Sequence, residues 1–368
     1  MIAVVFGTTG ELIKLAPVLV RLRERGHKFL LVTTGQQVRQ IPIFLDQFGL
    51  QQPDLWLGRG ARGRDLATTR DVPVWLANVT RVGMRNHRWL RLALARGPEE
   101  PLVLVHGDTM TTVLGAALGR LVEAQVAHIE AGLRSYDLLS PFPEELNRRL
   151  ASALAWIHYA PGPWAASNLH RGIVVDIGSN TIRDSLALVP KDFRPSFESP
   201  VEPFGLVSLH RFDLLRSRQT LAETLGVLAK ASERTRLLFV DHPVTAAAIE
   251  RFGFESLFDD TRFVRIPRLP FFDFGQLQRR CTFVVTDSGG SQEECYYLDR
   301  PCLVHRTKTE RLEGVHENVV LSGLDCDVLR DFLEDPGRFR RATPLPEASP
   351  SDLVVEDLEQ RGFAVGGA

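Results

Sequence analysis

Four clusters of residues have the types and spacing for acid–base chemistry or for holding an anion. The first is Gly7-Thr8-Thr9-Gly10-Glu11, between an apolar run and a helical stretch. Glycines there permit a tight turn and close backbone approach, and a helix N-terminus favours an anion. The pattern is neither GxGxxG nor a P-loop, so a plain βα turn reads equally well. Lys14 falls on the first turn of that helix, facing either a cleft or solvent. The second cluster is His106-Gly107-Asp108-Thr109, after the apolar run Leu102–Val105. It puts Asp108 at the carboxyl end of a buried strand, where open α/β sheets bind their ligands. The plainer reading is that Asp108 or Thr109 caps the next helix.

The third cluster combines His128-Ile129-Glu130-Ala131-Gly132-Leu133-Arg134 with Ser140-Pro141-Phe142-Pro143-Glu144-Glu145-Leu146-Asn147-Arg148. Glu130 also ends a strand. Glu144 and Glu145 open a helix, whose dipole favours each by about 0.3–1 kcal/mol, a sufficient structural reason for both. If Asp108, Glu130 and Glu144 converge, they raise one another's pKa, which suits proton abstraction and donation. Carboxylates also bind metals, yet no supporting His spacing accompanies these, and no metal is expected. The fourth cluster is Thr286-Asp287-Ser288-Gly289-Gly290-Ser291-Gln292-Glu293-Glu294. Ser288 reads as an N-cap, Gly289 and Gly290 leave N–H groups open to a phosphate, and Glu294 suits ribose hydroxyls. His210-Arg211 adds positive charge suited to a diphosphate. Phe274, in Phe271-Phe272-Asp273-Phe274, is either core or a ring stacked on a base.

These residues need strands and helices to hold them. Apolar runs at Ile2–Phe6, Phe29–Thr33, Leu102–Val105, Val126–Ile129 and Ile157–Tyr159 alternate with helical stretches such as Glu11–Arg25 and Asp71–Arg96. A second series has strands at Gly205–Leu209, Leu237–Val240, Arg262–Ile266, Thr282–Thr286 and Cys302–Val304. Alternation of this kind implies parallel sheets covered by helices. Val189–Pro203 lacks periodicity and reads as a linker or surface loop. The expected fold is α/β, with two Rossmann-like doubly wound domains and a ligand cleft between them. The first covers 1–171 and is joined by a C-terminal helix at 350–368; the second covers 172–349.

Composition narrows the function further. At 368 residues the chain is too long for one compact core. Its 44 basic and 45 acidic residues give a net charge of -1, which argues against a general nucleic-acid binder. No apolar run is long enough to cross a bilayer, and the start has no signal-peptide pattern. The four cysteines form no CxxC pair and read as reduced thiols of a cytoplasmic protein. Cys295, next to Glu294, is expected to be a point of attack for thiol reagents.

Together the clusters resemble the UDP-N-acetylglucosamine 2-epimerase family, in its bacterial non-hydrolysing branch. The resemblance runs from Phe6 to about Gly323. It rests on Val105–Thr112, His128–Ser135, Ser140–Arg148, Gly178–Leu186 and Thr286–Glu294. Thr309-Glu310-Arg311-Leu312-Glu313 is similar to the family's TERPE segment, with Leu312 for Pro. The resemblance implies a glycosyltransferase-B-like fold and inversion at C2 of UDP-GlcNAc to UDP-ManNAc without a cofactor. The C2 proton is removed with anti elimination of UDP, and UDP adds back to the bound 2-acetamidoglucal. Asp108, Glu130 and Glu144 then form the acid–base set, with His210 assisting the diphosphate. Ser288, Gly289 and Gly290 bind the diphosphate, Glu294 the ribose and Phe274 the uracil; Lys14, Arg134 and Arg211 complete the substrate-binding set. A homodimer serving cell-surface polysaccharide synthesis is also implied.

The chain departs from the family at three loops. Thr9-Gly10 stands where the family has Arg-Pro, and a lost charged hydrogen bond is worth roughly 1.5–3 kcal/mol. His210-Arg211-Phe212-Asp213-Leu214 replaces HRREN, and Gly35-Gln36-Gln37-Val38-Arg39 replaces GQHRE. In many members the last two loops lie near an allosteric UDP-GlcNAc pocket, so activation is expected to be lost or altered. Other readings are a hydrolysing epimerase, an epimerase of another nucleotide amino sugar, a glycosyltransferase and a non-catalytic nucleotide-sugar binder. The intact Glu130–Arg134 and Pro141–Arg148 stretches favour the non-hydrolysing branch, and the carboxylate trio argues against a transferase. Only Thr9-Gly10 supports the binder.

Overall fold

The computed structural model describes residues 1–61, 63–66, 68–97, 99–137, 142–191, 193, 196–197, 200–309 and 311–364. Ser140, Pro141 and Glu310 of the motifs above lie outside them. The chain divides into two compact units, Met1–Leu188 with Pro346–Ala368, and Val189–Leu345. The boundary read from sequence at 171/172 falls earlier, ahead of a strand and the helix Ile182–Ala187 that belong to the first unit.

Among the described residues the first unit holds seven strands: β1 (Ile2–Phe6), β2 (Phe29–Thr33), β3 (Leu55–Trp56), β4 (Leu102–His106), β5 (Gln125–Ile129), β6 (Ile157–Ala160) and β7 (Ile173–Asp176). They form one parallel sheet in the order β3-β2-β1-β4-β5-β6-β7. The second unit has β8 (Phe204–Ser208), β9 (Arg236–Asp241), β10 (Phe263–Pro267), β11 (Phe283–Thr286), β12 (Cys302–Val304) and β13 (Val319–Leu321). Its order is β10-β9-β8-β11-β12-β13, again parallel. The α/β fold with two doubly wound sheets is thus as expected. The central strands β1, β4 and β8 are buried along their whole length, the signature of a sheet covered on both faces. The short strands β3, β7 and β13 were not expected. All three are sheet edges, and an edge strand buries too little to need a long apolar run.

Strand order reverses between β1 and β4 in one sheet, and between β8 and β11 in the other. At such a switch point the loops diverge and leave a crevice beyond the carboxyl ends of the strands. The loops there are Gly7–Thr8 and Gly107–Thr109 in the first unit, and Leu209–Arg211 and Asp287–Ser288 in the second. Close packing supports them. A Cβ at Gly7 would meet the hydroxyls of Thr34 and Thr111 at 2.2 Å, so only glycine fits.

Helix boundaries follow local chemistry. The helix Thr9–Glu24 begins with a capping box, Thr8 accepting from Glu11 N–H and Glu11 accepting from Thr8 N–H. Val72–Leu94 starts after Asp71, but that carboxylate accepts from the N–H and hydroxyl of Thr68 rather than from the helix. The described residues of Val189–Pro203 form no helix or strand; Ser196 is tied to Asp273 within the second unit. The helix Pro350–Gln360 packs on the first unit. Asp352 pairs with Arg21 at 2.7 Å, Glu359 with Arg25 at 2.8 Å and His27 at 2.6 Å, and Asp357 accepts from the Tyr159 hydroxyl at 2.9 Å.

Gly205, in the middle of β8, gives a direct test of this packing. A Cβ there would lie 2.3 and 2.5 Å from the Phe283 ring and 2.8 Å from Leu237 Cδ2. Gly205→Ala is expected to destabilise the protein by about 1–3 kcal/mol through overpacking, read as a lower midpoint in urea unfolding. An unchanged midpoint would show that the ring moves aside freely.

Candidate active site

In the first unit, the βα loop after β1 has its own anion. Glu11 Oε2 accepts from the N–H groups of Gly7 and Thr8 at 2.9 Å each, and Glu11 Oε1 accepts from the Thr109 hydroxyl at 2.7 Å. Gln37 Oε1 accepts from both the N–H and the hydroxyl of Thr9 at 2.7 Å. The loop amides expected to greet a phosphate are therefore taken by side chains of the same unit. Burial raises the pKa of Glu11 against these hydrogen bonds.

Lys14, expected on solvent or a cleft, is buried. Its Nζ lies 2.6 Å from Glu130 Oε2. Glu130 is itself 5% exposed and directly follows β5 with φ +63°, a left-handed conformation that costs a non-glycine residue of order 1–3 kcal/mol. His106 Nε2 lies 3.2 Å from the same carboxylate oxygen, off the hydrogen-bonding direction. Asp108 does not cap the next helix. Thr109 does, accepting from the N–H groups of Thr111 and Thr112. Asp108 instead takes the Arg148 guanidinium, at 3.0 Å from Nε and 2.6 Å from Nη2. Asn147 donates to Asp108 O at 2.9 Å, so the helix Glu144–Leu154 is fastened to the loop after β4. Glu144, in its first turn, has one carboxylate oxygen buried without a hydrogen-bond partner. Its neighbour Glu145 is fully used, by Ser135 N–H, Arg149 and Arg148. Arg134 donates to Leu133 O and Ser152 Oγ, and burial lowers its pKa.

The second unit gathers a different set. Asp287 Oδ2 accepts from the N–H groups of His210 and Arg211 at 2.8 and 2.7 Å, and Oδ1 lies 3.3 Å from His210 Nδ1. Burial pushes Asp287 up to about 6. His210 stacks on His242 with ring centroids 4.4 Å apart. Burial first, then the charges of Arg211 and Arg268, hold His210 down at about 4; His242 is also at about 4, from burial, His210 and Arg268. Ser288 caps the helix Gly289–Tyr297 by accepting from Ser291 N–H, as expected. Gly289 and Gly290 form its first turn, whose N–H groups have no intrahelical acceptor. Glu294 is buried, and its Oε2 accepts from Gln278 at 2.8 Å, so one oxygen of the expected ribose ligand is held internally. Phe274 is half-buried against the core beside β8 and β11.

The sequence reading gave no role to Glu11, His106, Arg148, Asp287 or His242. Helical spacing puts Arg148 on the face of Glu144 and Glu145 and was a usable signal. Glu11 has the Thr8-x-x-Glu11 capping-box spacing, also a usable signal, whereas the partners of His106, Asp287 and His242 come from distant strands.

The model of the family described as UDP-N-acetylglucosamine 2-epimerase matches residues 93–330. The chain belongs to that family. The UDP-N-acetylglucosamine 2-epimerase of Bacillus subtilis (strain 168) is 31% identical over 380 residues, covering 96% of this chain and 93% of the relative. The crystal structure of Methanocaldococcus jannaschii UDP-GlcNAc 2-epimerase in complex with UDP-GlcNAc and UDP has a TM-score of 0.78 at 26% identity, covering 98% of this chain and 99% of that one. The Neisseria meningitidis UDP-GlcNAc 2-epimerase bound to UDP-GlcNAc has the same TM-score, identity and coverage. With these structures the chain shares the glycosyltransferase-B-like pair of α/β units.

Against this family two of the departing loops prove to be coupled. Thr9, where the family has Arg, bonds Gln37 of the Gly35–Arg39 loop. Thr309, Arg311 and Glu313 are fixed to the Gly289–Tyr297 helix. Thr309 donates to Gln292 at 2.7 Å, and Arg311 pairs with buried Glu293 at 3.1 Å. Cys295 is fully buried with its thiol pKa raised by burial, which removes the expected point of attack for thiol reagents.

The buried histidines set a pH dependence. Burial holds His128 at about 3 and His305 at about 4, beside His210 and His242 at about 4. A depressed folded pKa gives stability that is full above the ordinary value near 6.5 and lost as pH falls through the folded one. Asp287, raised to about 6, works in the opposite sense and offsets part of this. The melting temperature is expected to fall steadily from pH 7 to about 4.5, with a loss of a few kcal/mol carried mainly by fully buried His128 and His305. A flat scanning-calorimetry series across that range would contradict it.

Proposed function

We propose that the protein epimerises C2 of a UDP-N-acetylhexosamine, interconverting UDP-GlcNAc and UDP-ManNAc. One observation carries the reading. In a chain similar along 96% of its length to a named epimerase, a carboxylate at a strand end, Glu130, is held by a buried lysine. Glu130 takes the C2 proton. The C1–O bond breaks as the C1–C2 double bond forms, and UDP leaves with the bonding pair. UDP then adds back at C1 while a proton is delivered to the other face of C2, by Asp108 or Glu144. Glu144 has an oxygen free of internal partners, and Arg148 keeps Asp108 oriented.

The second unit supplies the hold on UDP. Arg211 and the N–H groups of Gly289 and Gly290, beyond the Ser288 cap, take the diphosphate. Glu294 takes ribose, and Phe274 stacks on uracil. His210 is neutral before the nucleotide binds; the charge of a diphosphate favours its protonated form, which then stabilises the leaving group. Lys14 and Arg134 complete the set around the sugar. The same reading makes the protein a cytoplasmic homodimer serving cell-surface polysaccharide synthesis. Self-association is supported by large apolar side chains exposed on three helices of the first unit: Met84, Trp89, Leu92, Leu121, Leu146 and Leu150.

Two measurements test this. Incubation with UDP-GlcNAc in deuterated water, followed by proton NMR, is expected to give UDP-ManNAc with deuterium at C2. Glu130→Gln and Asp108→Asn should each lower kcat by about 10² or more, with UDP affinity by calorimetry little changed. Free ManNAc would mean hydrolysis, and neither product nor exchange would end the reading. Light scattering is expected to give twice the chain mass; a single-chain mass at micromolar concentration would refute the dimer.

A further inference from the structure

Glu130 Oε2 lies between two nitrogens, Lys14 Nζ at 2.6 Å and His106 Nε2 at 3.2 Å. His106 is 3% exposed, and neither of its ring nitrogens has a hydrogen-bond partner. Other buried histidines are anchored: His128 Nε2 to Gly107 O at 2.7 Å, and His305 to Thr224 at 3.0 Å and Ser322 at 2.8 Å. An imidazole buried without partners forfeits the hydrogen bonds it would make in water, so its position calls for a reason other than stability.

We propose that His106 is a positioning residue that stores the proton Glu130 removes from the substrate; this rests on the epimerase reading above. When Glu130 Oε2 has taken the C2 proton, the imidazole 3.2 Å away turns its Nε2 lone pair onto that O–H; the O–H bond breaks and an N–H bond forms at His106 Nε2. Glu130 returns to a carboxylate between two cations, Lys14 and the imidazolium. The proton goes back along the same line in the reverse direction, and no other reactant is needed. Lys14 alone would make Glu130 a poor base, since a cation beside a carboxylate favours its ionised form. A neutral acceptor on the same oxygen lowers the cost of that weak basicity. The charged and titratable groups around His106 are Glu11 and Lys14 from the first helix, Glu130 and His128 from β5 and its end, and Asp108, which is engaged by Arg148.

The test compares His106→Gln, which keeps a hydrogen-bonding amide near the Nε2 position but cannot take a proton, with His106→Asn, whose shorter side chain draws back from Glu130 while Lys14 stays paired with it. Both are measured for melting temperature, UDP affinity, and kcat and KM for UDP-GlcNAc between about pH 5.5 and 8, the range where histidine titrates. In His106→Gln, kcat should fall about 10-fold or more with KM within threefold, and the shape of the kcat–pH profile should change. In His106→Asn the fall should be larger. If Glu130→Gln is inactive while His106→Gln keeps wild-type kcat and the same pH profile, the storage role is wrong and the epimerase reading stands. Equal losses in kcat and UDP affinity with a lowered melting temperature would also overturn it, as a structural effect. A wild type that neither epimerises nor exchanges C2 hydrogen sinks both.

Discussion

An ionised carboxylate buried in protein must be met by a cation, because the penalty for taking either ion from water is several kcal/mol. Glu130 imposes that requirement on the first unit, and much of the local structure follows from it. Lys14 can reach 2.6 Å only if the helix Thr9–Glu24 starts at a fixed place and phase. The Thr8–Glu11 capping box fixes the start, and Ser185 donating to Ile13 O at 2.7 Å pins the first turn from the other side. Glu11 is then itself buried, so its carboxylate is shared among two backbone amides and Thr109. That hydroxyl belongs to the cap after β4, which places Asp108 and, through Arg148, the helix carrying Glu144.

The second unit solves the opposite problem. Its switch-point loops carry imidazoles that burial and nearby arginines keep neutral, beside a carboxyl pushed up to about 6. An uncharged His210 in the free protein avoids the repulsion that Arg211 and Arg268 would impose on an imidazolium. The positive charge around these loops thus rests with Arg211 and Arg268.

Much of this was legible because fully buried parallel strands read as uninterrupted apolar runs. The residues just beyond them are then at carboxyl ends by construction, which is how Asp108, Glu130, His210 and Ser288 stood out. What stayed hidden depends on partners remote in sequence. Lys14 reads as a surface residue until β5 brings Glu130 to it. Asp108 reads as a cap until the Glu144–Leu154 helix supplies Arg148. Glycines after β1 read as a phosphate cradle because nothing in the spacing says that Glu11 folds back to fill it. Thr9 and Gln37 read as two separate losses. In the fold they are one substitution, a neutral pair with its hydrogen bonds satisfied.

The helix Pro350–Gln360 makes the second unit an insertion within the first. During synthesis the whole of Val189–Leu345 leaves the ribosome before this helix does, and domains fold as units while the chain grows. The second unit can therefore be finished while the first still lacks its last layer, with Arg21, Arg25 and the buried Tyr159 hydroxyl waiting for Asp352, Glu359 and Asp357. The sheet with Asp108 and Glu130 beyond its strand ends is thus sealed after the second unit, by a helix that emerges later.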